Sequence, residues 1–504
     1  MSAEKLQHTC VRLWDDRLDS SDSVQMNAHD ALLVVSGAPR VNNSVKPSNT
    51  RLADTVWTLL APGASQARMD QAEVARRWSR AGLFRHAPIV DLGSTDRRES
   101  VREALRDGWR VYAVSVFHLE VIELDRIMSQ GNGTKAVGMT QTSTDRMISG
   151  AELIKQLGAD PALRRVARAA VRALYSLGLD LGIAIVAIDG DGRTAALDMK
   201  QVPSFREGDG SIWGDVLGRF QSMYESSLPN ASGKPIKSIR IGADPEFVLV
   251  KPNGRIASAD RFFGVGGGTG ADALLIGQRL AYPIGELRPD PAGTPSELAV
   301  NVRRQLIRAD AKVDDDSLQW LAGAMPIGGI ALGGHIHLSG VLLTSRLLRQ
   351  LDRYVALPIA MIESDSGRRP RYGMLGDYRH QSHGGFEYRT LPSWLVSPAA
   401  AKAAFALALL CAHDTWSLPA PPLLPEQVEE AFYRGDRHML VRELDSIAAE
   451  LVEAPSYAAY ARWIEPLFAA ARQGAVWDAT ADFRRKWRVG PYAASPSSGG
   501  VKSQ

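Results

Sequence analysis

The sequence predicts an α+β architecture for the second half of the chain, preceded by a separate α/β part. Three observations carry this. Before residue 226, strand-like and helix-like stretches alternate. After residue 237, short strands are separated by long helical stretches instead of strict βαβ repeats. Between them lies a polar run of turn formers, Ser226-Ser-Leu-Pro-Asn-Ala-Ser-Gly-Lys-Pro235. With 504 residues, one hydrophobic core is too little and two or three domains are expected. The expected divisions are residues 1–225, a linker 226–237, a segment 238–420 that holds the chemistry, a helical extension 421–488, and a tail 489–504 whose composition reads as disordered.

In the first part, residues 31–37 read as a buried strand ending at a turn, and residues 56–60 as another. Residues 69–81 look helical, and residues 109–117 form a strand. Asp160-Pro161 is an N-cap followed by a first-turn proline. The helix it opens carries an apolar stripe at Leu163, Val166, Ala170, Val171 and Leu174, and four arginines (Arg164, Arg165, Arg168, Arg172) that read as its solvated face. Residues 183–188 and 194–199 flank Asp189-Gly-Asp-Gly192, a hairpin by composition. In the second part, Thr294-Pro-Ser-Glu297 is a capping box, and Leu298, Val302 and Leu306 give its helix a core face. A further helix starting near Thr344 buries Leu347, Leu348, Leu351 and Val355. Residues 399–412 read as a buried helix too short to span a bilayer, and residues 425–471 as mostly helical.

The bulk composition narrows the function classes. Hydrophobic residues make up 45% and charged residues 23%, the profile of a soluble globular protein. A net charge of only +3 argues against a nucleic-acid binder. Cys10 and Cys411 belong to no zinc or disulfide spacing. The N-terminus has no apolar signal core, and no run is long enough for a membrane span, so a cytoplasmic protein without membrane partners is expected.

The chemistry concentrates between Ala243 and Thr390. Four short segments each place polar residues at i and i+2 with apolar or small residues between: Asp244/Glu246, Glu286/Arg288, His335/His337 and Glu387/Arg389. Strand side chains alternate between faces, so each pair points one way. Pro245 places the first pair at a strand start or edge. Alone, Glu-x-Arg is more often a surface ion pair, and His-x-His is as easily a satisfied polar pair as a metal site. Four pairs together, two of them preceded by Gly-Gly, suggest a site where something approaches the backbone closely. Carboxylates without thiols suit Mg²⁺ or Mn²⁺ held with a nucleotide's phosphates. Arginines suit a transferring phosphoryl group, and Arg368-Arg-Pro-Arg-Tyr-Gly-Met-Leu-Gly-Asp-Tyr-Arg379 supplies more of them from a glycine-punctuated loop. Such equipment fits activation of an acid as its acyl phosphate, followed by displacement by an amine. The run Phe263-Gly-Val-Gly-Gly-Gly-Thr-Gly-Ala-Asp272 lacks the ending of a P-loop and fits either a flexible loop near the site or a plain turn.

At these segments the sequence resembles the phage-type COOH·NH2 ligases (type 2), relatives of glutamate–cysteine ligase and glutamine synthetase. The ordered motifs are Gly-x-Asp-Pro-Glu-Phe, Glu-Leu-Arg-Pro, Gly-Gly-His-Ile-His, Tyr-Gly-x-x-Gly-Asp-Tyr-Arg and Phe-Glu-Tyr-Arg-Thr-Leu-Pro-Ser-Trp, spanning residues 241–398. The resemblance implies a curved antiparallel sheet like those of glutamine synthetases and guanidino kinases. It implies ATP and Mg²⁺ (or Mn²⁺) as cofactors and ADP-forming ligation of an acid such as glutamate to an amine, both small molecules. Carried over by motif, Asp244, Glu246, Glu286, His335 and Glu387 are expected as metal ligands. Arg288, His337 and Arg371 are expected as nucleotide contacts. Arg379 and Arg389, with Glu387, are expected to act on the phosphoryl and acyl-phosphate groups. Asp244 stands where glutamate–cysteine ligases usually show Glu. The first part resembles a degenerate ATP-grasp domain through residues 68–83 and 169–203, where Asp198-Met-Lys200 replaces the usual Glu-x-Asn ending. A guanidino-type phosphotransferase and a non-catalytic nucleotide-binding scaffold are the rival readings. Homo-oligomer formation is left open.

Overall fold

The computed structural model describes residues 11–14, 33–36, 57–60, 69–84, 97–128, 147–200, 212–227 and 238–493, apart from 265, 277, 278, 383, 420 and 422. Most of the polar run before Pro235 and residues 494–504 of the expected tail therefore lie outside the described residues, whereas residues 489–493 are described, with Val489 buried. The chain divides into two compact units, Met1–Ile236 with Pro422–Glu426, and Lys237–Pro421 with Gln427–Gln504.

The first unit holds two sheets. Strands β1 (Val11–Trp14), β2 (Leu33–Ser36) and β3 (Trp57–Leu60) are parallel, in the order β2-β1-β3. Strands β4 (Arg110–Phe117), β5 (Glu120–Ile127), β6 (Met147–Ser149), β7 (Leu181–Ile188) and β8 (Thr194–Lys200) form an antiparallel sheet in the order β6-β5-β4-β7-β8. The helix Pro161–Tyr175 starts where Asp160 predicts, with its carboxylate accepting from Ala162 N at 2.7 Å. Leu163, Val166, Ala170 and Leu174 are buried in the unit's main core, as the stripe requires. The β7–β8 turn closes on Asp189, whose Oδ1 accepts from Asp191 N and Arg193 N at 3.0 and 2.8 Å. An Asx turn of this kind explains Asp-Gly-Asp-Gly without any ligand.

The second unit is α+β, built on one antiparallel sheet. Its strands are β9 (Arg240–Val250), β10 (Ile256–Ala257), β11 (Thr269–Ile276), β12 (Arg279–Leu287), β13 (Gln319–Leu321), β14 (Gly334–Ser339), β15 (Tyr378–His380) and β16 (Phe386–Tyr388). The order is β11-β12-β9-β14-β16-β15, with β10 and β13 also paired to β9. Pro245 was expected at a strand start or edge; instead it lies inside the central strand. It stands opposite Gly334 of β14, and β12 joins only at the next residue, Glu246. The missing N–H thus falls where one side of the strand is not yet laddered.

One face of this sheet packs against buried helices. Leu298, Val302 and Leu306 of the helix Pro295–Asp310 are fully buried, as are Leu347, Leu348, Leu351 and Val355 after Thr344. Thr294 Oγ1 accepts from Glu297 N at 3.2 Å, and Glu297 Oε2 reaches back to Gly293 N at 3.1 Å, one residue earlier than a standard capping box. The helix after Thr344 runs as Ser345–Leu351, a π segment Asp352–Ala356, and Leu357–Ala360. The helix Pro398–His413 is buried all round, Cys411 included. Phe247 stacks on Trp320 with ring centres 4.9 Å apart, and Phe263 and Phe483 pack edge-on to both. No helix among the described residues is long and apolar enough to cross a membrane.

Candidate functional site

Strand register lays the polar residues out in rows. Glu286 of β12 stands opposite Glu246 of β9. Asp244 of β9 stands opposite His335 of β14. Glu387 of β16 faces His337 of β14 on one side and Arg379 of β15 on the other. Residues directly opposite in an antiparallel pair share a face, as do residues two apart on one strand. The six motif residues within strands (Asp244, Glu246, Glu286, His335, His337 and Glu387) therefore lie on the same face, and Arg288 and Arg389 directly follow β12 and β16. The alternating residues Ile336, Leu338, Phe386 and Tyr388 are buried on the other.

On that face the side chains converge into two groups. In the first, ligand atoms of Asp244, His337 and Glu387 all lie within 4.8 Å of one another. His335 Nδ1 sits beside it, 3.1 Å from Asp244 Oδ1 and 3.2 Å from Glu387 Oε1, and His337 Nε2 is 3.1 Å from Asp244 Oδ2. These approaches are close but poorly aligned. Asp244 Oδ1, His337 Nε2 and Glu387 Oε1 are buried with no partner of hydrogen-bonding geometry among the described residues. In the second group, ligand atoms of Glu246, Asp272 and Glu286 meet the same 4.8 Å limit. Arg288 Nε is 2.6 Å from Glu286 Oε1, and Glu246 Oε2 accepts from Gly333 N at 2.6 Å. Asp272 carried no signal beyond ending the glycine run. Its membership comes from β11 pairing with β12, where it stands opposite Ile284, two residues before Glu286.

The electrostatics record the same crowding. Burial raises Glu246, and burial together with the charge of Asp244 pushes Glu286 up to about 7, with Arg288 only partly opposing. Burial also works to raise Asp244, but its contacts with His335 and His337 outweigh it and hold that carboxyl well below the usual range. For His335, burial opposes protonation, while Asp244 and Glu246 outweigh it and raise the imidazole. Three mutually repelling carboxylates, and a set of buried atoms held only in poorly aligned contacts, fit divalent cations, hard oxygen ligands in one group and mixed oxygen and nitrogen in the other.

Arginines surround Glu387. Arg389 Nε lies 3.1 Å from its Oε1 and Arg379 3.3 Å from its Oε2, while Gln381, which the sequence did not single out, donates to Oε2 at 3.0 Å. The loop before β15 divides its cations. Arg368 turns inward and donates to the Thr390 and Leu391 carbonyls at 2.7 and 3.0 Å. Arg371 is exposed beside the Tyr372 ring and joins none of the polar row among the described residues.

The glycines answer to the protein's own packing. A Cβ on Gly334 would lie 2.3 Å from the Pro392 carbonyl, and one on Gly333 would lie 2.2 Å from His335 Nε2. Gly384, at φ +84, turns the β15–β16 hairpin. The expected close approach is thus made by neighbouring protein atoms at Gly333-Gly334, whereas a Cβ on Gly384 would meet nothing within 4 Å. The glycine run leads into β11, where a Cβ on Gly268 or Gly270 would strike Gln305 or Arg288 at 2.5 Å.

Comparison with known proteins agrees with the motif resemblance. Residues 241–489 match the family described as Phage phiEco32-like COOH.NH2 ligase-type 2. No curated protein matches. Among solved structures, the chain is similar to a bifunctional glutathione synthetase from Pasteurella multocida at 10% identity and TM-score 0.31, covering 52% of this chain and 53% of that one. It is similar to PafA, the ligase of the prokaryotic ubiquitin-like protein Pup, at 10% identity and TM-score 0.34, covering 50% and 66%. A third likeness, to GmaS without ligand, has 15% identity and TM-score 0.30, covering 74% and 96%. The chain thus spans about half the length of that glutathione synthetase and 66% of PafA.

Proposed function

We propose that this chain, a member of the phage phiEco32-like COOH.NH2 ligase-type 2 family over residues 241–489, is an ATP-dependent ligase that joins a carboxylic acid to an amine with release of ADP and phosphate. The observation that carries this reading is the convergence of Asp244/His337/Glu387 and Glu246/Asp272/Glu286 on one sheet face beside Arg379 and Arg389.

The first group would hold one divalent ion (Mg²⁺ or Mn²⁺) and the second another. Bound there, the ions would neutralise phosphate oxygens and orient the polyphosphate of ATP. Grouping favours His337 over His335 as the imidazole ligand. His335 then serves by bridging Asp244 and Glu387, an exchange of the roles the motif resemblance implied for the two histidines. Arg379 and Arg389 flank Glu387 at the rim and can turn to the charge of a transferring phosphoryl group. Arg288, exposed beside Glu286, is placed for a nucleotide phosphate. Arg371 keeps only its position in the loop as support for a nucleotide role. The acid attacks the γ-phosphorus through a carboxylate oxygen, ADP leaves, and the amine displaces phosphate from the acyl carbon. For the first unit we infer a supporting role as a degenerate ATP-grasp-like domain.

Two observations weigh against the rivals. A guanidino-type phosphotransferase depends on a reactive cysteine near its substrate, whereas Cys411 is buried in an apolar helix that pushes its thiol well up. A decayed scaffold would have apolar replacements where this face keeps every carboxylate. The test is phosphate release from ATP and Mg²⁺ in amino-acid and amine mixtures. Release should need both an acid and an amine. ADP with a stable phosphorylated product would indicate a kinase, and nucleotide binding without turnover would indicate a scaffold.

A further inference from the structure

Beneath the polar face lies a buried acid with no part in the chemistry proposed above. Asp352 is 4% exposed and sits on the packed side of the sheet, at the first residue of the π segment Asp352–Ala356. Its Oδ1 accepts two hydrogen bonds, from the Tyr388 hydroxyl at 2.7 Å and from Gly376 N at 3.0 Å. Each donor belongs to a segment that carries site residues. Tyr388 lies between Glu387 and Arg389 and points to the opposite face from both. Gly376, at φ +69, lies in the turn that leads directly into Arg379.

Other bonds tie the same turn to the same strand. Arg389 N donates to the Asp377 carbonyl at 2.9 Å, and Thr390 Oγ1 to the Met374 carbonyl at 2.8 Å. Asp352 is the group in this set that reaches from a helix to both segments at once. An interior acid is costly to bury, and it is kept where its acceptor oxygen fixes a geometry that apolar packing would leave loose. A π turn widens a helix at one place and recurs at functional sites.

We propose that Asp352 is a positioning residue: its carboxylate braces β16 and the turn before β15, setting Glu387 against Asp244 and His337. The inference rests on reading those three residues as a divalent-cation site. It predicts a selective effect, because Glu246, Asp272 and Glu286 lie on β9, β11 and β12, away from the braced hairpin.

The experiment is a Mn²⁺ titration of the full chain, followed by electron paramagnetic resonance of the free ion. Wild type should bind two ions. Asp352→Ala should weaken one site about tenfold and leave the other unchanged, since two buried hydrogen bonds are lost. Tyr388→Phe removes a single hydroxyl and should weaken that same site by about fivefold. Asp352→Asn, which keeps an acceptor oxygen, should recover most of the loss. If Asp352→Ala fails to fold, Tyr388→Phe carries the test. Two unchanged sites in Tyr388→Phe, or equal weakening of both, would overturn the proposal. No Mn²⁺ binding by wild type would instead refute the cation-site reading on which it rests.

Discussion

Glu286 offers a direct test through pH. Its carboxyl, 13% exposed at the side chain, is raised from 4.5 to about 7 by burial and by the charge of Asp244. Holding it ionised in the folded, metal-free protein therefore costs about 3 kcal/mol. Between these two values the folded state keeps a proton that the unfolded state has lost. Stability of the metal-free protein thus falls as pH rises through that window. Cation binding has the opposite sign, because the ion needs the carboxylate and must displace the proton. Affinity at the Glu246/Asp272/Glu286 group should strengthen about fivefold from about pH 6 to about pH 7 and about tenfold by about pH 8, levelling off above it. Mn²⁺ titrations across this range measure it, and Glu286→Gln should flatten the dependence while weakening the site. A wild-type affinity that is the same at about pH 6 and about pH 8 would show that no proton on Glu286 competes with the ion.

Three further outcomes follow from named contacts. Glu387→Gln and Arg389→Ala should each lower the rate of ATP-dependent phosphate release by at least ~100-fold with an unchanged circular dichroism spectrum, as expected for groups that meet developing charge. In Gly285→Ala the added Cβ would lie 2.5 Å from the Phe247 ring. It should cost about 1–3 kcal/mol, read as a lower denaturation midpoint. Asp160→Ala removes the N-cap of the helix Pro161–Tyr175 and should cost ~1 kcal/mol in the same measurement.

The parts of the site that could be read from sequence are those fixed by strand alternation. Asp244/Glu246 and His335/His337 share faces because residues two apart on a strand must. What lay beyond reach depends on pairing between distant segments. Nothing local to Asp272 marks it; only the β11–β12 register brings it to Glu286. The division into two ligand groups likewise follows from β9 taking β12 on one side and β14 on the other. Arg368 and Arg371 look alike in the sequence, and packing turns one inward and leaves the other exposed. Gly333 and Gly334 did signal a close approach, but a glycine cannot say whether its neighbour is a ligand or Pro392. Helix starts were legible at Asp160, Thr294 and Thr344 because capping is local chemistry. The parallel strand β1 has no such local mark, since it is defined by its partners β2 and β3.

On the proposed reading, this sheet face activates a carboxylate by phosphorylation before an amine takes the acyl group. Oxygen-isotope transfer tests it most directly. With an acid–amine pair that supports turnover and ¹⁸O in the acid's carboxylate, each inorganic phosphate released should carry one ¹⁸O atom. Phosphate free of the label would contradict it, because the acid's oxygen would never have been bonded to phosphorus.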